Sequence, residues 1–181
     1  MKNTGHRAVD SALRTPHSAL ALVALGSNLG DSRQIIRDAM ARLQTLSRRP
    51  ILKSSLWQTS PVDCPPGSPP FVNAVAALAP LADETPESLL LKLRTLEKKS
   101  GRQPKKVSNE PRPLDLDLIV FGAETRNTAE LALPHPRAHL RRFVLQPLSE
   151  IAPDLVLPGQ SKTVAQLLAG LPETEMVTRL G

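Results

Sequence analysis

The sequence predicts an α+β fold in which helices pack on an antiparallel sheet, with further elements added at the C-terminal end. Three observations support this prediction. Short apolar runs alternate along the chain with segments whose leucines and isoleucines recur at helical spacing. Stretches rich in proline and glycine separate these segments, as expected for loops. The chain has 181 residues, of which 40% are hydrophobic, so it can bury the core of one compact domain.

The chain's first predicted elements are a strand and a helix. Residues 19–25 form an uninterrupted apolar run, which predicts a buried strand that ends at Gly26. A polar loop follows it. A helix is then expected over residues 31–46, because the apolar side chains there recur every three or four positions.

Two further strands and a second helix are predicted next. The strands are residues 51–59 and 71–78, and a loop with five prolines lies between them, over residues 61–70. Thr85 begins the second helix, since a hydroxyl cap is followed there by proline and an acidic residue. A leucine stripe continues this helix until Gly101 ends it.

A basic loop over residues 101–113 leads to a fourth strand over residues 114–121. The order is then βαββαβ, which is the ferredoxin-like plan. The sequence pattern of residues 161–171 predicts a short closing helix, the last helix of the chain. Residues 1–18 are polar and lack the apolar stretch of a secretory signal, so they are expected to be a disordered extension preceding one domain over residues 19–181.

Composition restricts the possible partners. The net charge of +6 favours a polyanionic partner such as nucleotide phosphates, although a solvated basic surface would give the same number. Only 2% of the residues are aromatic, which argues against a protein that stacks single-stranded nucleic acid. No run approaches the roughly 18 apolar residues of a membrane span. The single cysteine, Cys64, excludes an internal disulfide and fits a reducing compartment.

Two carboxylates on the fourth strand are the strongest sign of chemistry. Because strand side chains alternate, Asp115 and Asp117 are expected on one face, about 6.6 Å apart along the strand. Leu114, Leu116, Leu118 and Val120 are expected on the other face, in the core. Paired carboxylates on a rigid strand suit magnesium, which takes one or two of them together with substrate phosphates. A solvated strand face, or acids paired with arginines, would give the same pattern.

The predicted loop that precedes these carboxylates carries several basic residues, namely Arg102, Lys105, Lys106 and Arg112. Acids that hold a metal beside bases that hold phosphate are the usual arrangement for phosphoryl transfer.

Phe71 and Asn73 share a strand face and could hold a flat heterocycle, although a core phenylalanine is the simpler interpretation. His135 lies between two prolines, close to Arg141 and Arg142, and is a candidate for binding phosphate.

Several motifs in order together resemble the 2-amino-4-hydroxy-6-hydroxymethyldihydropteridine pyrophosphokinase family. The resemblance covers about residues 19–171. It rests on segments 24–31 (ALGSNLGD), 71–75 (FVNAV), 111–117 (PRPLDLD), 133–137 (LPHPR), 143–148 (FVLQPL) and 151–155 (IAPDL). The family has Trp-Gly where this chain has Asn109-Glu110, and an arginine where it has Pro104.

This resemblance implies a cytoplasmic, monomeric enzyme of folate biosynthesis on a ferredoxin-like fold. It would transfer pyrophosphate from ATP to 6-hydroxymethyl-7,8-dihydropterin and release AMP, using two magnesium ions. No nucleic acid or membrane partner is implied. The alternatives are a catalytically weakened relative that binds pterin or nucleotide, and an RNA-binding module of the same fold, which would need exposed aromatic residues on its sheet.

The resemblance also implies roles for individual residues. Asp115 and Asp117 would bind the metal ions, and Arg102, Arg112 and Asp117 would carry the catalysis. The residues expected to bind ATP are Glu97, Arg102, Lys105, Arg112, His135 and Arg141. The residues expected to bind the pterin are Thr59, Pro61, Val62, Phe71, Asn73 and Phe143, with the two phenylalanines on either side of its ring.

Overall fold

The protein is described by a computed structural model, which covers residues 20–104 and 109–181. The predicted extension over residues 1–18 and the candidate ATP ligand Lys105 lie outside the described residues. The predicted α+β class is confirmed. The strands are β1 (Ala21–Ser27), β2 (Leu52–Lys53), β3 (Trp57–Thr59), β4 (Phe71–Leu78), β5 (Asp115–Phe121), β6 (Arg126–Asn127), β7 (Ala132–Leu133) and β8 (Val177–Arg179).

The α-helices in the described part of the chain are α1 (Ser32–Gln44), α2 (Pro86–Lys99), α3 (Arg142–Ile151) and α4 (Val164–Ala169). Capping explains where two of them begin. The Asp31 side chain accepts a hydrogen bond from the backbone N–H of Gln34 at the start of α1. Thr85 and Ser88 form a reciprocal capping box at the start of α2, where the sequence predicted the helix to begin. None of the described helices is long and apolar enough to cross a membrane.

The main sheet has the strand order β5-β1-β4-β3-β8, and β2 also pairs with β4. Each of these pairings is antiparallel. The central strands are β1 and β4, and they are buried along their whole length. At one end of the sheet, Gly26 lies between Asn73 of β4 and Asp115 of β5. This register brings the polar ends of three strands together.

Helices cover both faces of this sheet. On one face, α1 and α2 pack with their apolar stripes against the alternate side chains of β1, β4 and β5, including Val23, Ala76 and Leu118. On the other face, α3 and α4 pack over Ala77 and Ile119. Since α3 and α4 cover only part of this second face, the remainder, near Gly26, forms the wall of a cavity.

Two strand predictions were wrong in detail. Gly26 does not end β1, because Gly26 and Ser27 continue the ladder with β4. The strand predicted over residues 51–59 is divided into β2 and β3. Between them, the Ser54 hydroxyl accepts a hydrogen bond from Val75 N (3.0 Å) and takes the place of a ladder contact. A side chain that bonds to the backbone in this way interrupts regular pairing.

The predicted alternation along β5 holds only for its first part. Leu114, Leu116 and Leu118 lie in the core beneath α1 and α2, as expected. Val120 does not, because the register with β1 shifts between Leu22 and Val23. This irregularity places Val120 with Ile119 on the opposite face, in the core beneath α3.

After β5, the sequence pattern did not predict the short strands β6 and β7, helix α3 or strand β8. Helix α3 includes Pro147, which lies in its last turns. Strand β8 pairs with β3 and brings the C-terminal tail, residues 172–181, back to the sheet edge. The predicted closing helix is confirmed as α4, which is shorter than expected.

Candidate active site

A cavity of about 700 Å³ opens where β1, β4 and β5 end on the face that α3 leaves uncovered. This size lies within the range of small-molecule sites. Its lining contains twelve of the predicted site residues, namely Thr59, Val62, Phe71, Asn73, Glu97, Arg102, Arg112, Asp115, Asp117, His135, Arg141 and Phe143. Pro61 is not among the lining residues. The predicted residues that meet here are up to 84 positions apart in the sequence, from Thr59 to Phe143.

Space for a ligand at the centre of this cavity depends on Gly26. It lies between the strands that carry Asn73 and Asp115. A Cβ atom added at Gly26 would lie 3.0 Å from Asn73 Oδ1 and 3.7 Å from Phe71 Cδ1. Any side chain here would therefore displace Asn73 or fill the cavity floor between the amide and the ring.

Asp115 is held by two arginines. Its Oδ1 lies 2.5 Å from Arg102 Nη1, and its Oδ2 lies 2.5 Å from Arg112 Nη2. Burial alone would raise the pKa of Asp115, but the Arg112 and Arg102 guanidinium groups outweigh it and lower the pKa below the ordinary value. Asp115 is therefore a firmly ionised group that anchors the basic loop to the strand.

Asp117 is in a different environment from Asp115. In the part of the chain that the structure describes, its ion-pair partner is Arg141, with Nη1 3.6 Å from Oδ2. Of the Asp117 side chain 39% is exposed, against 18% for Asp115. Burial and the neighbouring charge of Asp115 raise the pKa of Asp117. A cation placed beside the two carboxylates would remove this repulsion. Asp117 is thus the more available metal ligand of the pair.

Glu97 connects α2 to the edge of β5. One of its carboxylate oxygens accepts a hydrogen bond from the backbone N–H of Leu116 (2.7 Å) and forms an ion pair with Arg102. Only 7% of the residue is exposed, and this burial raises the pKa of Glu97. In this structure, Glu97 holds both Arg102 and the strand that carries the aspartates.

His135 lies near Asp117, on the segment that follows β7. Its backbone N–H donates to Ile119 O of β5 (2.8 Å), and its Nδ1 accepts from Arg137 N (3.2 Å). Burial and the charges of Arg141 and Arg137 lower the pKa of His135, although Asp117 acts in the opposite direction. A neutral imidazole beside two arginines suits contact with an anionic ligand.

The two phenylalanines lie in the same cavity, each beneath a guanidinium group. Arg112 Cζ lies 5.3 Å from the ring centroid of Phe71, and Arg141 Cζ lies 5.3 Å from that of Phe143. In the same cavity, the Asn73 amide donates to Thr59 Oγ1 (2.7 Å). Two rings and an oriented amide are the groups that hold a flat, polar-edged heterocycle.

Three contributions to the site were missed by the sequence reasoning. Asn28 joins two loops, since its Oδ1 accepts from Arg112 N (2.9 Å) and its Nδ2 donates to Pro69 O (3.3 Å). Asn109 donates to Asp63 O (2.8 Å) and lines the cavity. Glu175 of the C-terminal tail also lines it. The position of Asn28 inside a glycine-rich motif was a usable signal, whereas Glu175 had none.

The donor set suits magnesium better than a transition metal. Across residues 20–104 and 109–181, no group of three or more histidine, cysteine or acidic side chains could hold a metal ion. Magnesium commonly binds through one or two carboxylates and completes its shell with phosphate oxygens and water. Asp115 and Asp117 therefore fit the ion, provided that the ligand brings phosphate.

Comparison with known proteins gives concordant results. The family model described as 7,8-dihydro-6-hydroxymethylpterin-pyrophosphokinase (HPPK) matches residues 22–153. The chain is 38% identical over 148 residues to a 2-amino-4-hydroxy-6-hydroxymethyldihydropteridine pyrophosphokinase of Synechocystis, covering 82% of this chain and 74% of the relative. It is also 38% identical to the enzyme of that name in Pseudomonas aeruginosa, covering 83% of this chain and 90% of the relative.

Solved structures share the fold. Wild-type Plasmodium falciparum HPPK-DHPS with SDX-DHP is similar to this chain with a TM-score of 0.66 at 13% identity, over 83% of this chain and 44% of that one. The chain therefore spans less than half the length of this two-part protein. At this level of identity, the likeness concerns the fold alone.

Proposed function

The chain belongs to the 7,8-dihydro-6-hydroxymethylpterin-pyrophosphokinase family, and from this premise we propose that it transfers pyrophosphate from ATP to 6-hydroxymethyl-7,8-dihydropterin. The reaction would release AMP and would belong to folate biosynthesis. The observation that carries the proposal is the cavity of about 700 Å³ that contains both the aspartate pair of β5 and the two phenylalanines. The aspartate pair, which suits the phosphates, and the two phenylalanines, which suit a heterocycle, therefore line the same cavity.

At the phosphate end, we assign Asp115 and Asp117 to two magnesium ions. When bound, the ions would neutralise part of the triphosphate charge and so stabilise the transition state. Arg102 and Arg112 would release Asp115 and bind the phosphate oxygens. The remaining ATP contacts are assigned to Glu97, Lys105, His135 and Arg141. Asp117, the more exposed carboxylate, is assigned the hydroxyl proton.

At the heterocycle end, Phe71 and Phe143 would hold the ring between them, and Asn73 would bind its polar edge. Thr59 orients the Asn73 amide. Val62 and its neighbour Pro61 are assigned to the rim. The gain in rate would come largely from alignment of the hydroxymethyl oxygen with the β-phosphorus of ATP, since holding two reactants in line lowers the barrier substantially.

The sheet topology supports the ferredoxin-like plan, because the four strands β5, β1, β4 and β3 lie in that order and pair antiparallel. It disfavours an RNA-binding sheet, because α3 and α4 cover part of the face opposite α1 and α2 and the open remainder carries Asp115 and Asp117, which would repel a phosphate backbone. We further propose a cytoplasmic monomer, as the resemblance to the family implies. Light scattering that gives the mass of one chain would support the monomer, and a dimer mass would contradict it.

The test is to incubate the protein with ATP, magnesium and 6-hydroxymethyl-7,8-dihydropterin and to separate the products. We expect AMP and the pyrophosphorylated pterin in equal amounts, and no product when magnesium is withheld. Formation of ADP would indicate transfer of a single phosphate and contradict the proposal. Pterin binding without any product would instead support a non-catalytic relative.

A further inference from the structure

The C-terminal tail pairs with the outer side of the short strand β3. All three residues of β3 lie opposite residues of the tail, and on the inner side the same three residues pair with β4. Two hydrogen bonds extend the outer pairing beyond the strand. Ser60 N donates to Met176 O (3.1 Å) at one end, and Leu180 N donates to Leu56 O (2.8 Å) at the other. The tail therefore gives β3 a second row of backbone contacts.

Strand β3 carries one wall of the cavity. Thr59 is its last residue, and Thr59, Ser60 and Val62 line the cavity. Thr59 is buried, and its Oγ1 accepts the hydrogen bond that orients the Asn73 amide (2.7 Å). Thr59 also lies directly opposite Phe71 in the pairing with β4. A shift of β3 would therefore disturb both the amide and the ring to which the pterin is assigned.

The tail itself has few buried contacts with the rest of the protein. No residue from 172 to 181 is fully buried, and most are exposed, among them Glu173, Met176 and Thr178. The ion pair of Arg179 with Glu150 (2.8 Å) involves an arginine side chain that is 63% exposed, and solvent weakens such a pair. Segments with few buried apolar contacts open locally at a low cost in free energy. The tail can therefore undock while the rest of the fold persists.

We propose that docking of the C-terminal tail on β3 is coupled to binding of the pterin, with the tail positioning the wall formed by Thr59 and Asn73. The docked tail holds Thr59 where it orients the Asn73 amide. When the tail undocks, this wall loses its support and the pterin binds more weakly. By thermodynamic linkage, bound pterin favours the docked tail by the same factor. The inference rests on the proposed function and extends it to how the pterin site is assembled.

The hydrogen-bond pattern of the ladder identifies a suitable variant. Hydrogen-bonded and non-hydrogen-bonded pairs alternate along antiparallel strands. Since Ser60 N and Leu180 N both donate across the ladder, the pair midway between them, Gln58 and Thr178, also directs its N–H groups inward. Thr178→Pro removes one of these donors. Thr178→Ala keeps the donor and removes only an exposed side chain, so it is the matched control.

The first experiment measures, by calorimetry, the Kd of 6-hydroxymethylpterin for the wild type and both variants, with magnesium and a non-hydrolysable ATP analogue present. We expect Thr178→Pro to raise this Kd by about tenfold, which lies within the usual range of coupling between sites. Thr178→Ala should leave it unchanged. The Kd of the nucleotide analogue alone should be the same for all three proteins, because Asp115 and Asp117 lie on β5, at the other edge of the sheet.

Two results of this experiment would overturn the inference. One is a pterin Kd in Thr178→Pro equal to that of the wild type, which would show that docking and binding are independent. The other is equal weakening of pterin and nucleotide in Thr178→Pro, which would assign the tail to general stability. If the wild type itself bound no pterin, the proposed function would fall, and this result is distinct from failure of the coupling alone.

Hydrogen exchange of the wild type provides a second test, which does not depend on the folding of a variant. The Leu180 N–H lies in the ladder, and Leu180 is not among the residues that line the cavity. Saturating pterin should slow exchange of this N–H by a factor similar to the change in Kd, because the ligand favours the docked tail. Exchange at Leu180 that pterin does not alter would overturn the inference, even if Thr178→Pro failed to fold.

Discussion

At the scale of single residues, two aspartates that look equivalent in the sequence are in different environments. Asp115 is neutralised by Arg102 and Arg112, whereas among the described residues Asp117 has only a long ion pair with Arg141. The first carboxylate therefore contributes to the structure before any ligand binds. Asp117 contributes little to the stability of the fold, and its proposed role is that of a metal ligand. Substitution should separate these two contributions.

We expect Asp117→Asn to lower turnover by about a thousandfold or more, because it removes a charged metal ligand at the point where phosphate charge develops. The thermal midpoint should not fall, since the variant relieves the repulsion from Asp115 that raises the pKa of Asp117. AMP release and thermal unfolding measure the two effects. Asp154→Asn, at an exposed carboxylate outside the cavity lining, is the control. Turnover near that of the wild type would contradict the metal assignment.

At the scale of elements, the basic loop is tied to the body of the protein by Asn28. The backbone N–H of Asn28 donates to Arg112 O (3.1 Å), and its side chain accepts from Arg112 N. The same side chain reaches Pro69 O of the proline-rich loop. Asn28 is only 4% exposed, and its hydrogen bonds join the loop that carries Arg112 to the loop that precedes Phe71.

Asn28→Ala should destabilise the fold by about 1–3 kcal/mol, since it leaves buried backbone groups without partners. It should also lower kcat more than it raises the KM for pterin, because Arg112 loses its position while the ring site persists. Urea unfolding and steady-state kinetics measure these effects. Asn127→Ala, at an exposed position on β6, provides the comparison. A large rise in pterin KM with unchanged kcat would contradict a role in positioning Arg112.

A second link between elements joins the C-terminal tail to β3 and α3 through Glu150. This carboxylate accepts hydrogen bonds from the Ser55 backbone N–H (2.8 Å) and from Trp57 Nε1 (3.2 Å). It also lies 2.8 Å from Arg179 Nη2 of β8. Although burial acts in the opposite direction, the Ser55, Trp57 and Arg179 contacts lower the pKa of Glu150 below its ordinary value.

This link should make part of the stability depend on pH. A carboxyl whose pKa is lower in the folded state stabilises the fold above its unfolded pKa of about 4.3, and this contribution is lost as the pH falls through the folded value. Glu150→Gln should thus cost roughly 1–2 kcal/mol at pH 7, with the difference from the wild type shrinking below about pH 4. Urea unfolding across pH measures it, with Glu173→Gln as the control. A constant difference down to acidic pH would contradict the assignment.

At the scale of the whole molecule, a sheet covered by helices on both faces leaves one region open for ligands. Within residues 20–104 and 109–181, the charged residues that line the cavity are five arginines and six acidic residues, namely Arg94, Arg102, Arg112, Arg137 and Arg141, and Asp63, Glu97, Asp115, Asp117, Glu130 and Glu175. The chain as a whole carries a net charge of +6. This net positive charge of the chain favours the approach of an anionic nucleotide, while it has little effect on an uncharged pterin.

We therefore expect the KM for ATP to rise several-fold between low salt and 0.3 M salt, where charges farther apart than roughly 6 Å are screened. The KM for pterin should change by less than about twofold, and it serves as the internal control. Steady-state kinetics at constant free magnesium measure both constants. A parallel rise in the two values would indicate a general effect of salt on the enzyme and contradict the role of charge.

The sequence by itself determined the alternation of helices and strands, the cap at Thr85 and the position of Asp115 and Asp117 on one strand face. These features depend on local periodicity and on neighbouring side chains, which are visible within a few residues. It also indicated the family, because several motifs occur in order. It left open whether the two aspartates pair with arginines, which the structure shows at 2.5 Å for Asp115 with Arg102 and Arg112. It could not give the division at Ser54 or the irregularity that turns Val120 to the other face.

Only the tertiary structure decided these features, because each depends on a partner distant in the chain. Ser54 bonds to Val75, Asn28 clamps Arg112, and Glu175 reaches the cavity only because β8 pairs with β3. Pairing between distant segments is set by the burial of whole faces and leaves no local periodicity. The α+β class and the aspartate pair could thus be predicted from the chain, whereas the distinct environments of Asp115 and Asp117 required the folded sheet.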